Sequence, residues 1–297
     1  MSVPFDADRA RALIDVLEPA RLTRVCDVGA NPLDETPYKG LLAMGGCDVW
    51  GFEPQGDAFR ALVAAKGPHE NYICAAVGDG KTAELKVCAD SGFTSLLEPN
   101  RAFMAATGQF RDRLAVVARV KLKTTKLDSL PDLPAFDLLK IDIQGGELAA
   151  FRGGKAHLAT AVAVITEVSA LPIYEGQPLL HHQIAELSKH GYFLHKFLFL
   201  KSFGFRNPFT TRLRRRTYRS QLGDGDAVLV RGLVDLSTLE TEALKHLAIL
   251  ADAVLLTQDL AVRAMMELQG RGLLSAAQVH GYMDLLPHVE PRHLEAI

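Results

Sequence analysis

Acidic residues stand directly behind apolar runs at several places in the first two thirds of the sequence, each time beside a turn-forming residue. Asp27-Val28-Gly29-Ala30-Asn31 follows Val25-Cys26, and Glu53-Pro54 follows Val49-Trp50-Gly51-Phe52. Asp142-Ile143-Gln144-Gly145-Gly146-Glu147 follows Leu138-Leu139-Lys140-Ile141, while Ala76-Val77-Gly78-Asp79 and Glu167-Val168 close two further runs. Gly29 lets the backbone turn sharply and come close to a ligand. A carboxylate at Asp27 suits a cationic or hydroxyl-bearing group. A dinucleotide would want G-x-G-x-x-G and bare amides for its pyrophosphate; one glycine and an acid disfavour that. Glu53 suits the vicinal hydroxyls of a ribose, and Ala76 and Val77 are small enough to border an adenine. Taken singly, each acid fits a helix N-cap equally well. Their recurrence at successive run ends points to a shared site.

Such residues need a sheet to line them up. Val25–Val28, Asp48–Glu53, Tyr72–Val77, Phe136–Ile143 and Val162–Val168 are short apolar runs of strand length. Helical stretches separate them: Tyr38–Met44, Asp57–Lys66, one opened by Gly145-Gly146, and Leu179–His190 ending at Gly191. Ala83–Ala89 either extends the sheet or forms a hairpin with Ala118–Thr124. Tyr192–Leu200 and Ala227–Val230 are expected to close the sheet as an antiparallel edge. Alternating strands and helices imply an α/β, Rossmann-like, doubly wound and mostly parallel sheet, in which ligands bind beyond the carboxyl ends of the strands. From Ser237 onward the pattern is helical, with an apolar stripe at Leu239, Ala243, Leu244, Leu247 and Leu250. The expected division is a domain over 1–235 and a helical C-terminal extension over 236–297. That extension is expected to pack on the main domain, with homodimerisation through an exposed stripe as the second reading.

A net charge of -2 gives no global attraction to nucleic acid, so no nucleic-acid partner is expected. No apolar run reaches the ~20 residues of a bilayer span, and the N-terminus mixes acids with arginines, carries no signal-like apolar core and reads as a short amphipathic helix. Cys26, Cys47, Cys74 and Cys88 form no CxxC pair and are expected to be small buried hydrophobes in a reducing compartment. A soluble cytoplasmic protein is the expectation. His181 and His182 are adjacent on a helix, where side chains are expected to diverge, and no carboxylates accompany them. No metal site is expected there.

In order, the clusters at Asp27–Asn31 and Phe52-Glu53-Pro54, Leu127-Asp128-Ser129-Leu130, the string Lys140-Ile141-Asp142-Ile143-Gln144-Gly145-Gly146-Glu147, and Glu167-Val168 with Tyr174 and Gln177 resemble the FkbM-type methyltransferases. The resemblance spans roughly Val25 to Tyr192, with a weaker echo at Gly225–Arg231. It implies a methyltransferase-type Rossmann-like fold, S-adenosylmethionine as donor, and a hydroxyl acceptor on a sugar, glycan or polyketide-like product. By position, Asp27, Gly29 and Asn31, with Ala30 between them, would line the donor site, and Glu53 would hold its ribose. The family's first turn commonly continues with a second glycine; here Pro32-Leu33-Asp34 follows, and the insertion-like stretch Pro32–Pro37 is expected to lengthen the loop beside the donor's amino-acid end.

Methyl transfer to a hydroxyl requires loss of the hydroxyl proton, which favours a nearby base or a metal. Asp142 and Glu167, ending adjacent strands, are the expected catalytic residues, and Asp142 also borders the donor. Glu147 is expected to cap its own helix. Arg206, Arg212, Arg214, Arg215, Arg216 and Arg219, interleaved with Phe203, Phe205, Phe209 and Tyr218, form a basic segment. It reads either as a solvated loop or as a lid for an anionic acceptor such as a phosphate-bearing sugar, or for an anionic membrane surface. The alternative to an enzyme is a binding or scaffold protein that kept the sheet without its chemistry.

Overall fold

The computed structural model describes residues 3–31, 35–213 and 218–287. By contacts the chain divides into two compact units, one of residues 24–34 and 49–233, the other of 1–23, 35–48 and 234–297.

The first helix, α1 (Ala7–Leu17), starts at Asp6, whose carboxylate accepts the Arg9 N–H as an N-cap. β1 (Thr23–Val28), α2 (Lys39–Ala43), β2 (Cys47–Phe52), α3 (Gly56–Ala65) and β3 (Glu70–Ile73) then alternate. β4 (Thr82–Cys88), α4 (Arg101–Thr107) and β5 (Val116–Lys123) interrupt the alternation; β4 and β5 pair antiparallel as a separate ribbon. β6 (Leu138–Ile141), α5 (Glu147–Gly153), α6 (Lys155–Leu158), β7 (Ala163–Ser169), α7 (Leu180–Ser188), β8 (Tyr192–Phe203) and β9 (Gln221–Arg231) complete the larger unit. The chain continues with α8 (Thr241–Ala253), α9 (Gln258–Gly270) and α10 (Ala276–Met283).

Seven strands form one sheet in the order β3-β2-β1-β6-β7-β9-β8. β1 pairs parallel with β6, and β6 with β7; β9 runs antiparallel to both β7 and β8. This is the doubly wound sheet with the antiparallel edge that the pattern predicts. Strand order reverses between β1 and β6, so the crevice of such a fold lies beyond their carboxyl ends. Alternation of side chains along each strand gives the sheet two unlike faces. Val28, Leu139, Ile141, Val164 and Leu229 fill a core with Phe151 of α5 and Leu187 of α7. Each such side chain contributes about 1.5–3 kcal/mol by leaving water. Asp27, Lys140 and Glu167 alternate with them.

β3 stops at Ile73, although the apolar run continues to Val77. Its partner β2 reaches Pro54 at that point, which has no N–H to continue a ladder; the last rung is Glu53 N–H to Ile73 O at 3.2 Å. Cys74 is consequently exposed, whereas Cys26, Cys47 and Cys88 are buried as expected. α4 has no counterpart among the expected elements.

In the second unit α1 packs against α8 and α10. The expected extension over 236–297 therefore shares a unit with α1 and α2, which precede it by some two hundred residues. Leu239, Leu244, Leu247 and Leu250 of the predicted stripe are all buried. An ion pair lies among them: Arg9 Nε stands 2.7 Å from Asp252 Oδ1, which also accepts the Tyr282 hydroxyl at 2.7 Å. Among the described residues no helix is long and apolar enough to cross a membrane.

Candidate active site

A cleft opens beyond β1, β2 and β6. Of the residues expected at a donor site, Gly29, Asn31, Glu53, Ala76, Val77 and Asp142 line it; Asp27 and Ala30 do not, nor does Glu167, expected as a catalytic residue. Gly29 has φ +88°, and a Cβ there would stand 2.0 Å from the Asp142 carbonyl oxygen, so no side chain fits. The Gly29 and Ala30 N–H groups both donate to Phe52 O at 3.0 Å, which binds the first turn to the end of β2. Pro32, Leu33 and Asp34, the expected loop beside the donor, lie outside the described residues.

Glu53 is 6% exposed. Its Oε1 accepts the Gln55 N–H at 2.6 Å, and burial raises its carboxyl pKa above the ordinary value despite that bond. Ala58, Ala75, Ala76, Val77 and Leu85 give the neighbouring wall an apolar surface. The opposite rim comes from Ser91–Leu96, joined to β4 by the reciprocal Lys86–Ser95 backbone bonds. A carboxylate for sugar hydroxyls, an apolar wall for a flat base and a glycine turn that excludes side chains together fit S-adenosylmethionine.

Asp27 is buried, 3.3 Å from Lys140 Nζ on the neighbouring strand. Burial works against the Lys140 charge, but Asp27, Asp142 and Asp226 outweigh it and hold the ammonium above its usual range. Asp27 thus meets a cation of the protein itself, behind the cleft.

The register explains why Asp142 and Glu167 come together. Lys140 pairs with Ile165, so Asp142 and Glu167, each two residues further on, project from one face at one level. Between them stands Gln144. Its Nε2 donates to Asp142 Oδ1 at 2.7 Å and to Glu167 Oε2 at 3.0 Å. Its Oε1 accepts the Tyr174 hydroxyl at 2.8 Å, and its carbonyl accepts the Ser95 hydroxyl at 2.7 Å. Gln144 reaches this position with φ +54°, a conformation uncommon outside glycine and enriched at functional sites. The Gln177 side chain in turn accepts the Ile173 and Tyr174 N–H groups and fixes the loop that presents the tyrosine.

Burial, then the charges of Asp142 and Glu147, push the Glu167 carboxyl well above the usual range. Glu147 is pushed up to about 7 by burial and by Asp142, against two backbone donors: its Oε1 accepts the Ile143 and Gly145 N–H groups at 3.0 and 3.1 Å. Both donors precede α5, whose N-terminus has no side-chain cap, so Glu147 braces the turn instead of capping its own helix as expected. Asp226, opposite Glu167 in the register, is pushed up to about 6 by burial and Asp142. Asp142, Glu147 and Glu167 each bring an oxygen within 4.8 Å of the others, a set able to hold a divalent cation. The His181 and His182 rings, expected to diverge, instead lie 3.9 Å apart, because His182 Nδ1 turns back to accept the Leu179 N–H. Among the described residues no third metal-ligating group joins them.

The sequence matches the model of the methyltransferase FkbM domain over residues 27–194. The chain belongs to the FkbM methyltransferase family. It is therefore a methyltransferase by family, with S-adenosylmethionine as its donor. No curated protein matches the sequence. Among solved structures the chain is similar to magnesium protoporphyrin IX methyltransferase from Synechocystis PCC 6803 with bound S-adenosylmethionine, at 14% identity, 76% of this chain and 77% of that one, with a TM-score of 0.33. It is similar also to precorrin-6y C5,15-methyltransferase from Geobacter metallireducens GS-15, at 10% identity, 75% and 87% coverage and a TM-score of 0.37. Likeness at these values says nothing about the acceptor. Within the family match, Gln144 is the residue whose role sequence reasoning missed. No local signal could have found it, because nothing in its neighbours reveals the positive φ that turns its side chain toward both carboxylates.

Proposed function

We propose that this methyltransferase acts on a hydroxyl of a sugar, glycan or related secondary metabolite, and that Asp142 and Glu167 together take up the hydroxyl proton. The observation that carries this reading is the carboxyl pair bridged by Gln144, with Asp142 at the cleft and Glu167 behind it. Gly29, Asn31, Glu53, Ala76 and Val77 would hold the donor, with Ala30 fixing the first turn to the end of β2 and Asp27 steadying it through Lys140. Bound there, S-adenosylmethionine supplies an electrophilic methyl group. Glu53 orients the ribose, and the apolar wall around Ala76 excludes water from the base. Fixing both reactants in line can contribute up to about 7–11 kcal/mol.

The raised affinity of Glu167 for protons makes the pair a stronger base once it has ionised. Activity should therefore rise with pH as Glu167 loses its proton. Glu167→Gln keeps the shape and most hydrogen bonding; kcat should fall ~100-fold or more with donor affinity nearly intact. Asp142→Asn should lower kcat similarly. Near-wild-type kcat in both variants, measured with an identified acceptor, removes the pair from the chemistry. Activity abolished by EDTA and restored by Mg²⁺ moves the role to a bound cation. Buried Cys26, Cys47 and Cys88 support a reducing, cytoplasmic setting, and exposed Met266, Leu273, Met283 and Leu285 support a homodimer contact on the C-terminal helices.

A further inference from the structure

A second cavity, of 450 Å³, lies in the larger unit away from the donor cleft. Its walls are the end of α4 with the turn that follows, the loop after β8, and the residues leading into β9. Arg111, Arg206 and Arg219 all line it, and no aspartate or glutamate does. Among the described residues none of the three guanidinium groups has a carboxylate partner. Other arginines of the same unit show the usual alternative: Arg113 pairs with Asp90, Arg119 with Glu84 and Glu98, and Arg152 with Glu186. Three cations around one cavity repel each other unless an anion lies between them. Phe205 and Tyr218, 56% and 58% exposed, stand on the same walls. Exposed aromatic rings beside guanidinium groups suit a ligand with a flat or sugar-like part as well as a charge.

We propose that this cavity binds an organic phosphate, its phosphate oxygens held by Arg111, Arg206 and Arg219 and its organic part against Phe205 and Tyr218. Guanidinium forks match phosphate oxygens two at a time, and such charge-assisted bonds are about twice as strong as neutral ones. The cavity is joined to the carboxyl pair through one aromatic cluster. Phe203, which precedes its rim, packs with Phe103 at 5.6 Å and shares a buried cluster with Tyr174, the hydroxyl partner of Gln144. In the methyltransferase such an organic phosphate serves as the acceptor. That acceptor role rests on the methyltransferase reading, whereas phosphate binding rests on the cavity alone. Arg214, Arg215 and Arg216 lie outside the described residues and form no part of it.

The test is calorimetric titration of the full chain with inorganic pyrophosphate and with uridine diphosphate, for the wild type and for an Arg206→Ala, Arg219→Ala double variant. S-adenosylhomocysteine is titrated into both as a measure of an intact donor site. Both anions should bind the wild type, and the double variant should lose at least ~10-fold in affinity for each, with the donor product bound equally by both proteins. Tighter binding of uridine diphosphate than of pyrophosphate, lost in Tyr218→Ala, places the base on the aromatic wall; equal affinities leave recognition with the phosphates, and both results support the site. Failure of both anions to bind at millimolar concentration overturns the proposal, as does undiminished binding by the double variant. Binding to phosphatidylglycerol vesicles with neither soluble anion bound overturns it in favour of a membrane surface. Loss of S-adenosylhomocysteine binding by the wild type, with anion binding kept, contradicts the methyltransferase reading and leaves the phosphate site standing.

Discussion

Gln144 donates to two carboxylates at once from a backbone conformation that most side chains avoid, and Glu147 accepts two N–H groups from the same turn. The turn is thus built around buried acids, with a consequence for stability. The folded value of Glu147, about 7, lies above the 4.5 of a free glutamate. Between those values the folded chain holds more protons than the unfolded one, so stability falls as pH rises through that window and levels off above it. Glu147→Gln keeps an oxygen for both N–H groups and removes the titration. The drop in melting temperature from about pH 5 to about pH 8 should be smaller in the variant, which should also melt above the wild type at the higher pH. An equally steep drop in both would show that Glu147 does not titrate in this window. The acids themselves were legible in the sequence because each follows an apolar run. The bridging amide was not, since nothing in its neighbours reveals a positive φ.

β1 and β6 meet so closely at their carboxyl ends that Gly29 has no room for a methyl group. Gly29→Ala adds a left-handed residue, costing roughly 1–2 kcal/mol, and a clash with the Asp142 carbonyl that only a shift of β6 relieves. Thermal unfolding should show a loss larger than that figure, and S-adenosylhomocysteine binding should weaken because Asp142 moves with its strand. A variant as stable as wild type would mean the turn relaxes freely. The strands β1, β2, β6 and β7 were readable from apolar runs ended by glycine, proline or acid. The end of β3 was read four residues too late and its start two too late, because its end depends on where its partner meets Pro54 and not on its own residues. α4 was missed, since seven residues with little apolar periodicity give a weak signal.

Two units share the chain, and the helical one draws its parts from both ends. The C-terminal stripe and the short amphipathic helix at the N-terminus were both readable because period and punctuation are local, but their pairing was not, since a contact across two hundred residues leaves no local trace. Arg9 and Asp252 hold these ends together in a buried setting. Removing one member of a buried pair typically costs about 3–5 kcal/mol, because the other charge is left without compensation. Arg9→Ala should lower the melting temperature accordingly, while Arg9→Ala combined with Asp252→Leu should recover part of the loss. No effect of the single change would show that the pair contributes nothing to joining α1 to α8.

The family assignment makes S-adenosylmethionine the donor, and the proposed site gives its ribose to Glu53, which lines the cleft. Calorimetric titration with S-adenosylhomocysteine therefore tests the account most directly. The wild type should bind, and Glu53→Ala should bind more weakly by about 1.5–3 kcal/mol, the usual worth of a hydrogen bond to a charged group. No binding to the wild type, or identical binding by Glu53→Ala, would contradict it.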